Sequence, residues 1–484
     1  MSTSHSPATD EPQLKRTLGG FQVFAVSFAF ISVAVGVFAT YGEMLTTAGP
    51  VGIWLWVISA VGQTLVALVV AQFAARIALS GSSYQWASRL ASPKVGWFFG
   101  YLTLWYLATA VVAMDNALAS QALMPLLGMP ESEDDARLIT IAVLVVQAVL
   151  VIASTRLLGL ISSTAVAIEI GIVVVLVVVL LAVVITTGSG DVGNLASRGV
   201  AAGDPNYFAL GGGAMAGMLM GLTTLVGFDS AANLAEEAKD PFRTVPRAIV
   251  ASVIAAGVAG MLFLIALTVS IKDIVAVSAA GSPVAAIIRE QLGPVWERVM
   301  LACIVVAMFG AGMVVMAACS RQVFAMARDR RLPAAALLRR VDPRTRTPIA
   351  ATVLIVVVGV VLMVALPGAA LVQLINIGTI LPAMIYGGIV VLYLGVRNRF
   401  ARREGGFSLG RLEMPVAVAA LIWIGVALVC LVTPGQALVP VLIVVGLALL
   451  GGVWFAVMLR SRDRVLDAED PATDRAEEIA EAAG

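Results

Sequence analysis

The chain has little of what an ordinary soluble protein carries. Charged residues make up 13% of its 484 positions and hydrophobic residues 60%, where a soluble domain keeps nearly a quarter of its residues charged. It has a single histidine, His5, in a polar tail. Histidine catalysis, histidine-ligated metals and the His-containing motifs of membrane acyltransferases are excluded with it. Cysteine is equally scarce: Cys303, Cys319 and Cys430 all fall in apolar runs. Cys303 and Cys319, sixteen residues apart on one helix, would stand about 24 Å from one another and cannot pair. The sequence calls for no disulfide framework, metal or cofactor, and offers no ATP-binding loop. The glycine-rich GGGAMAG of Gly211 to Gly217 lacks the Lys-Ser/Thr of a phosphate loop and opens an apolar run, so it reads as close packing.

What is abundant is long, nearly charge-free apolar sequence. Twelve runs can each cross about 30 Å of hydrocarbon as a helix: 21–46, 52–77, 96–127, 138–154, 159–187, 208–234, 247–271, 295–320, 348–365, 370–396, 414–433 and 438–459. The expectation is an all-α, multi-pass protein of the plasma (inner) membrane whose one membrane domain, 18–460, lies between polar tails at 1–17 and 461–484. The first twenty residues lack the apolar core of a cleaved signal peptide, so the amino terminus is expected in the cytoplasm. That orientation leaves only Arg137, Arg198, Lys272, Arg289 and Arg298 of the 31 Lys and Arg on the far side, as the positive-inside rule requires. An even number of spans then puts both termini inside. Short extra helices are expected at Pro283 to Gln291, at Ser80 to Ser92 and after Pro333.

Two spans differ from the rest. The first reads FAFISVAVGVFATYG, with Ser32, Gly36, Thr40, Gly42 and then Glu43; the sixth reads GLTTLVGFDSAAN, with Thr223, Thr224, Gly227 and Asp229. They open the first five and the second five spans. Polar, glycine-interrupted helices at corresponding positions of two halves point to inverted repeats whose broken helices meet at the bilayer midplane; the alternative is that the small residues only allow close packing. An acid at membrane depth costs roughly 2.5–3.5 kcal/mol on insertion scales and marks a functional site by default. Asp229 is such an acid. Glu169, in TAVAIEIGIVVV of the fifth span, is another, and Asp115 with Asn116 lies well inside the third.

GFDSAANLAEEAKDPFRTVPRAI, Phe228 included, resembles the sixth-helix signature of the amino acid, polyamine and organocation (APC) transporter superfamily. SGSSYQWASRL with VGWFFGY is similar to the loop after helix two and the start of helix three in the branch that carries choline, GABA and other amino acids. CSRQVFAMARDRRLP and DPRTRTPIAA resemble the end of helix eight and the entry to helix nine. The blocks are colinear over about residues 20–400. The family often has Gly-Thr-Gly where this chain has Ala34, Val35 and Gly36, Glu where it has Gln72, and Pro where it has Ala78; these departures bear on the substrate rather than on the fold.

The resemblance implies twelve helices: two inverted five-helix repeats (about 20–187 and 207–396) with helices 1 and 6 broken, and two extra helices (about 413–460). It implies that N–H groups around Ser32, Val35 and Gly36 face a substrate carboxylate, that carbonyls of Thr223, Thr224 and Val226 beside Gly227 take the amine, and that Phe228 closes over the bound molecule. Free N–H and C=O groups at half-helix ends do this without side chains. Two roles stay open for Asp229, binding the amine or capping the second half of helix six. Glu169 is a candidate proton carrier, because an acid in an apolar span can exchange its charge for a proton; the alternative is a neutral Glu bracing a broken helix. Sodium-coupled relatives ligate the ion with helix-eight hydroxyls, but Cys303 to Cys319 contains no Ser or Thr, and a hard cation wants oxygen ligands. Asp115 and Asn116 either line the pocket or bond to neighbouring helices. Glu236, Glu237, Lys239, Asp240, Arg243 and Arg247 read as a cytoplasmic gating or folding network.

The expected partners are therefore a small amino acid or organic amine, a proton and the lipid bilayer, with no nucleic acid. The expected activity is secondary active transport by alternating access, not enzymatic catalysis. An exchanger of amines or amino acids and a non-transporting sensor remain alternatives.

Overall fold

A computed structural model describes residues 19–77, 82–153, 155–345, 347–397 and 406–460. The tails, His5 and Ala78 lie outside them. Among the described residues all regular structure is helical. Eleven helical stretches are long and apolar enough to cross a membrane, and Ile349–Ala365 is a shorter apolar helix of 17 residues, about 25 Å long at 1.5 Å per residue. Together they account for the twelve expected crossings, numbered here spans 1 to 12 in chain order.

Span 1 is two helices, Gly20–Ile31 and Val33–Thr47, meeting at Ser32. Span 2 is Trp54–Ala74, and span 3 is Pro93–Ala117 with a π turn and a last short helix to Leu127. Spans 4 and 5 are Glu133–Ala153 and Thr155–Thr187. Span 6 starts at Gly213, five residues later than the apolar run suggests, because Tyr207 to Gly212 turns back on itself with Gly211 at φ 77°. Span 7 is Pro241–Val269 and begins earlier than expected, since Pro241 occupies the first turn, where its missing N–H costs nothing. Spans 8 to 12 are Pro294–Arg328, Ile349–Ala365, Ala370–Val396, Glu413–Val432 and Leu438–Arg460. The expected short helices appear as Pro283–Leu292, Ser82–Leu90 and the single turn Ala335–Leu338.

In lipid the hydrophobic effect does not drive helices together; close packing and hydrogen bonds do. Trp56 of span 2 illustrates both. Its ring fills the groove over Gly260 of span 7, and its Nε1 donates to the Gly257 carbonyl at 2.8 Å. Span 8 packs on spans 3 and 5, and span 10 on spans 3 and 11. Span 12 turns Leu442, Leu449 and Val453 outward, as a lipid-facing helix should. All three cysteines are free.

Polar groups near the helix ends tie the packing. Arg137 donates to the carbonyls of Met363, Leu366 and Gly368 at 2.6–2.8 Å, closing the end of span 9. At the opposite end of the molecule, Arg76 and Glu413 pair at 3.5 Å, both nearly buried, and Tyr393 donates to the same carboxylate. Carbonyls of Thr433, Asn206 and Thr47 occupy the places where side chains on Gly211, Gly212 and Gly213 would go.

Candidate functional site: two broken helices

The break in span 1 is one residue wide. Ser32 takes a left-handed conformation, φ 46°, which for a non-glycine residue needs support from its surroundings. Glu169 of span 5 supplies it: the Ser32 hydroxyl donates to Glu169 Oε1 at 2.7 Å, and the Ala34 N–H donates to the same oxygen at 3.3 Å. Glu169 is only 4% exposed. The N–H groups of Ser32 and Gly36 are taken by the carbonyls of Phe28 and Ser32. The first turn beginning at Val33, which includes Val35, is where donors lack intrahelical acceptors.

The break in span 6 is wider. Helix Leu219–Thr224 ends, Leu225 to Gly227 is non-helical, and the chain resumes as a 3-10 helix over Phe228–Glu237. Gly227 sits at φ 80°, a conformation that favours glycine. Its N–H donates to the Tyr386 hydroxyl at 2.9 Å, and that hydroxyl donates to Asp229 Oδ1 at 2.9 Å. The Tyr386 ring stacks on Phe228, centroids 4.7 Å apart. One side chain of span 10 therefore ties the Gly227 hinge to Asp229 where the chain resumes its helix.

The two breaks are joined directly. Ser27, in the first half of span 1, donates to the Phe228 carbonyl at 2.8 Å and accepts the Ala231 N–H at 3.0 Å. Gly36 lies against Thr224, whose side chain fills the space where a Cβ would go. Thr223 bonds to Thr379 of span 10 at 2.6 Å, and Thr379 in turn donates to the Ile375 carbonyl, which leaves Thr223 as the donor. Thr223, Val226 and Asp229 keep partial exposure, while Ser32, Val35, Gly36, Thr224, Gly227 and Phe228 are buried. The last carbonyls before a helix ends have no intrahelical donors, which covers Thr223 and Thr224 at the end of Leu219–Thr224, while Val226 lies in the non-helical stretch that follows.

Residues 18–454 match the amino acid permease family model. The chain belongs to the amino acid permease family. It is 25% identical over 440 residues to the GABA-specific permease of Saccharomyces cerevisiae, covering 86% of this chain and 74% of the relative. It is similarly 25% identical over 440 residues to an amino-acid permease of Arabidopsis thaliana, covering 85% and 84%. A thiamine transporter of Schizosaccharomyces pombe is 24% identical over 479 residues, covering 88% and 78%. The protein is accordingly a membrane transporter of amino acids or amines rather than an enzyme.

In this permease Asp115 and Asn116 are bonded to neighbouring helices. Gln147 of span 4 donates to Asp115 Oδ1 at 2.8 Å and to the Phe309 carbonyl of span 8. Asn116 donates to Thr140 of span 4 at 2.9 Å. Of the charged exit from span 6, Arg243 and Asp240 form an exposed pair at 3.9 Å, worth little in water; the side chains of Glu236 and Glu237 lie outside the described residues. Ser27, Tyr386 and Thr379 escape a reading of the sequence. Hydroxyls in apolar helices usually bond back to the carbonyl four residues earlier, as Thr40 and Thr64 do here, so Ser27 carries no distinguishing signal. Only Pro382, one turn before Tyr386, hints that span 10 is special.

Proposed function

We propose that this permease moves an amino acid or related small organic amine across the plasma membrane, with both termini cytoplasmic, by alternating access between the two broken helices, and that a proton on Glu169 drives the cycle. The observation that carries the reading is the contact of Glu169 with Ser32 and Ala34 at the break of span 1. A charged carboxylate accepts both hydrogen bonds at full strength, whereas a protonated one holds the break more weakly. Protonation then changes the energy of the element that must move.

The substrate's carboxylate would meet the N–H groups of the first turn after Ser32, near Val35. Its amine would meet the carbonyls of Thr223, Thr224 and Val226 and the Asp229 carboxyl, and Phe228, stacked on Tyr386, would close over the bound molecule. The names of the relatives support this class of substrate: GABA, amino acids and thiamine all carry a basic or cationic nitrogen. Asp229 suits such a cargo. Among the described residues, the membrane interior of the two breaks holds acids and hydroxyls and no Lys, Arg or His.

Reconstituted permease should accumulate a panel member (amino acids, GABA, putrescine or thiamine) when a proton gradient is imposed, and not when only a sodium gradient is. Glu169→Gln should keep exchange of labelled for unlabelled substrate but lose accumulation. Wild-type accumulation that is indifferent to the proton gradient would identify an exchanger instead. Accumulation by Glu169→Gln equal to that of the wild type would remove the proton from Glu169.

A further inference from the structure

Glu169 is held on one side and walled on the other. Oε1 grips span 1, and the carboxyl also borders a small cavity among spans 1, 3, 5 and 8. Apart from Glu169 the described residues of its walls are apolar, with Phe30, Met114, Ala165, Gly310 and Val314 among them. Such walls offer no oxygen cage for a hard cation. Among the described residues these walls offer none of the two to four polar side-chain partners that would hold an ordered water.

One residue of that wall reaches the other break. The Phe30 ring lies against Gly227, filling the space where a Cβ would project. Phe30 follows Ser27 by three residues, so the two share a helix face, and Ser27 is the residue bonded to Phe228 and Ala231. A single aromatic thus touches both the cavity of Glu169 and the hinge of span 6.

We propose that Phe30 is a positioning residue that couples the two sites. Seated on Gly227, it seals Glu169 from water. When substrate reorders the break of span 6, the ring loses its seat and water reaches the carboxyl. A hydronium ion then transfers a proton to one carboxylate oxygen: one O–H bond of the hydronium breaks, one forms on Glu169, its charge is cancelled and a water is released; on the opposite side of the membrane the reverse transfer to water restores the carboxylate. This assignment rests on the reading of Glu169 as the proton carrier.

The leak measurement itself needs no substrate. The permease is reconstituted in proteoliposomes containing a pH-sensitive dye, and a membrane potential is imposed with potassium and valinomycin in the absence of any amine. The wild type should hold its internal pH. Phe30→Ala should leak protons several-fold faster, and Phe30→Ala with Glu169→Gln should be as tight as the wild type. Phe30→Leu, which retains more of the apolar bulk, should leak less than Phe30→Ala and more than the wild type, and it serves if the smaller residue impairs folding. A leak that persists in the double variant overturns the proposal, since the path would bypass Glu169. So does a tight Phe30→Ala or Phe30→Leu variant that still accumulates substrate with the proton gradient. In that case Glu169→Gln separates the two ideas: if it has lost accumulation, only the role of Phe30 falls, and if it retains accumulation, the proton assignment falls as well.

Discussion

The two breaks solve one problem by different chemistry. Span 1 departs from helix at a single residue, Ser32, and an ionisable group from span 5 holds it there. Span 6 opens over Leu225 to Gly227, resumes as a 3-10 helix, and is held at the hinge by the hydroxyls of Tyr386 and Ser27. A hydroxyl cap does not change with pH near neutrality, whereas a carboxyl cap changes strength whenever it gains or loses a proton. In the function proposed above, the narrow break is thus the one that would respond to protons. The wide one, where Thr223, Val226 and Asp229 keep partial exposure, is the one that would meet the amine in the function proposed above.

The most damaging way to break the comparison is at Gly227. Gly227→Ala would place a side chain against Phe30 in a left-handed conformation that costs a non-glycine residue about 1–2 kcal/mol by itself, and uptake should be lost even where size-exclusion chromatography shows the protein is assembled. Wild-type uptake by that variant would mean the hinge does not need its left-handed turn. Next in size is Glu169→Gln, which should flatten the dependence of uptake on external pH; a wild-type profile, with uptake rising as the outside is acidified, would put the proton-sensitive group somewhere other than the narrow break. Tyr386→Phe removes the donor to Asp229 and the acceptor for Gly227 while keeping the ring on Phe228. Losing a buried hydrogen bond costs about 1–3 kcal/mol, so apparent substrate affinity should fall by about tenfold with an unchanged pH profile. A flattened profile would instead erase the division of labour.

Ser27→Ala should do less. Loss of a capping hydroxyl costs roughly 0.5–2 kcal/mol, read as a lower melting temperature in detergent and faster labelling of a cysteine introduced in the first half of span 1. The smallest effect is expected away from both breaks, in the loop between spans 8 and 9. There the N–H groups of Thr345 and Arg344 hold the Asp342 carboxyl below its ordinary value. A depressed folded-state value stabilises the fold above the unfolded value and is lost as pH falls through the folded one. Asp342→Ala should therefore lower the melting temperature slightly at neutral pH, not in acid, and leave transport unaltered.

Much of the architecture can be read from residues because the bilayer leaves few alternatives: an apolar run long enough to cross must be a helix when no water can satisfy its backbone. The crossings, the odd character of spans 1 and 6, and the separate interest of Glu169 and Asp229 are all legible in this way. Their partners are not. Ser27 and Ala231 are 204 residues apart, and Ser32 and Glu169 are 137; periodicity along one helix cannot say which face meets which neighbour. Asp115 shows the same limit, since only its contact with Gln147 separates a scaffold acid from a pocket acid.

By itself, then, the sequence determined that the chain is a bundle of membrane helices with two interrupted spans and a few deep acids, because transfer of polar groups into hydrocarbon is costly enough to dictate both. Only the tertiary structure decided that Glu169 grips one break, that Tyr386 and Ser27 hold the other, and that Phe30 lies between them. Hydrogen bonds and ring contacts act over a few ångströms, and only the packing of distant helices brings those groups within reach.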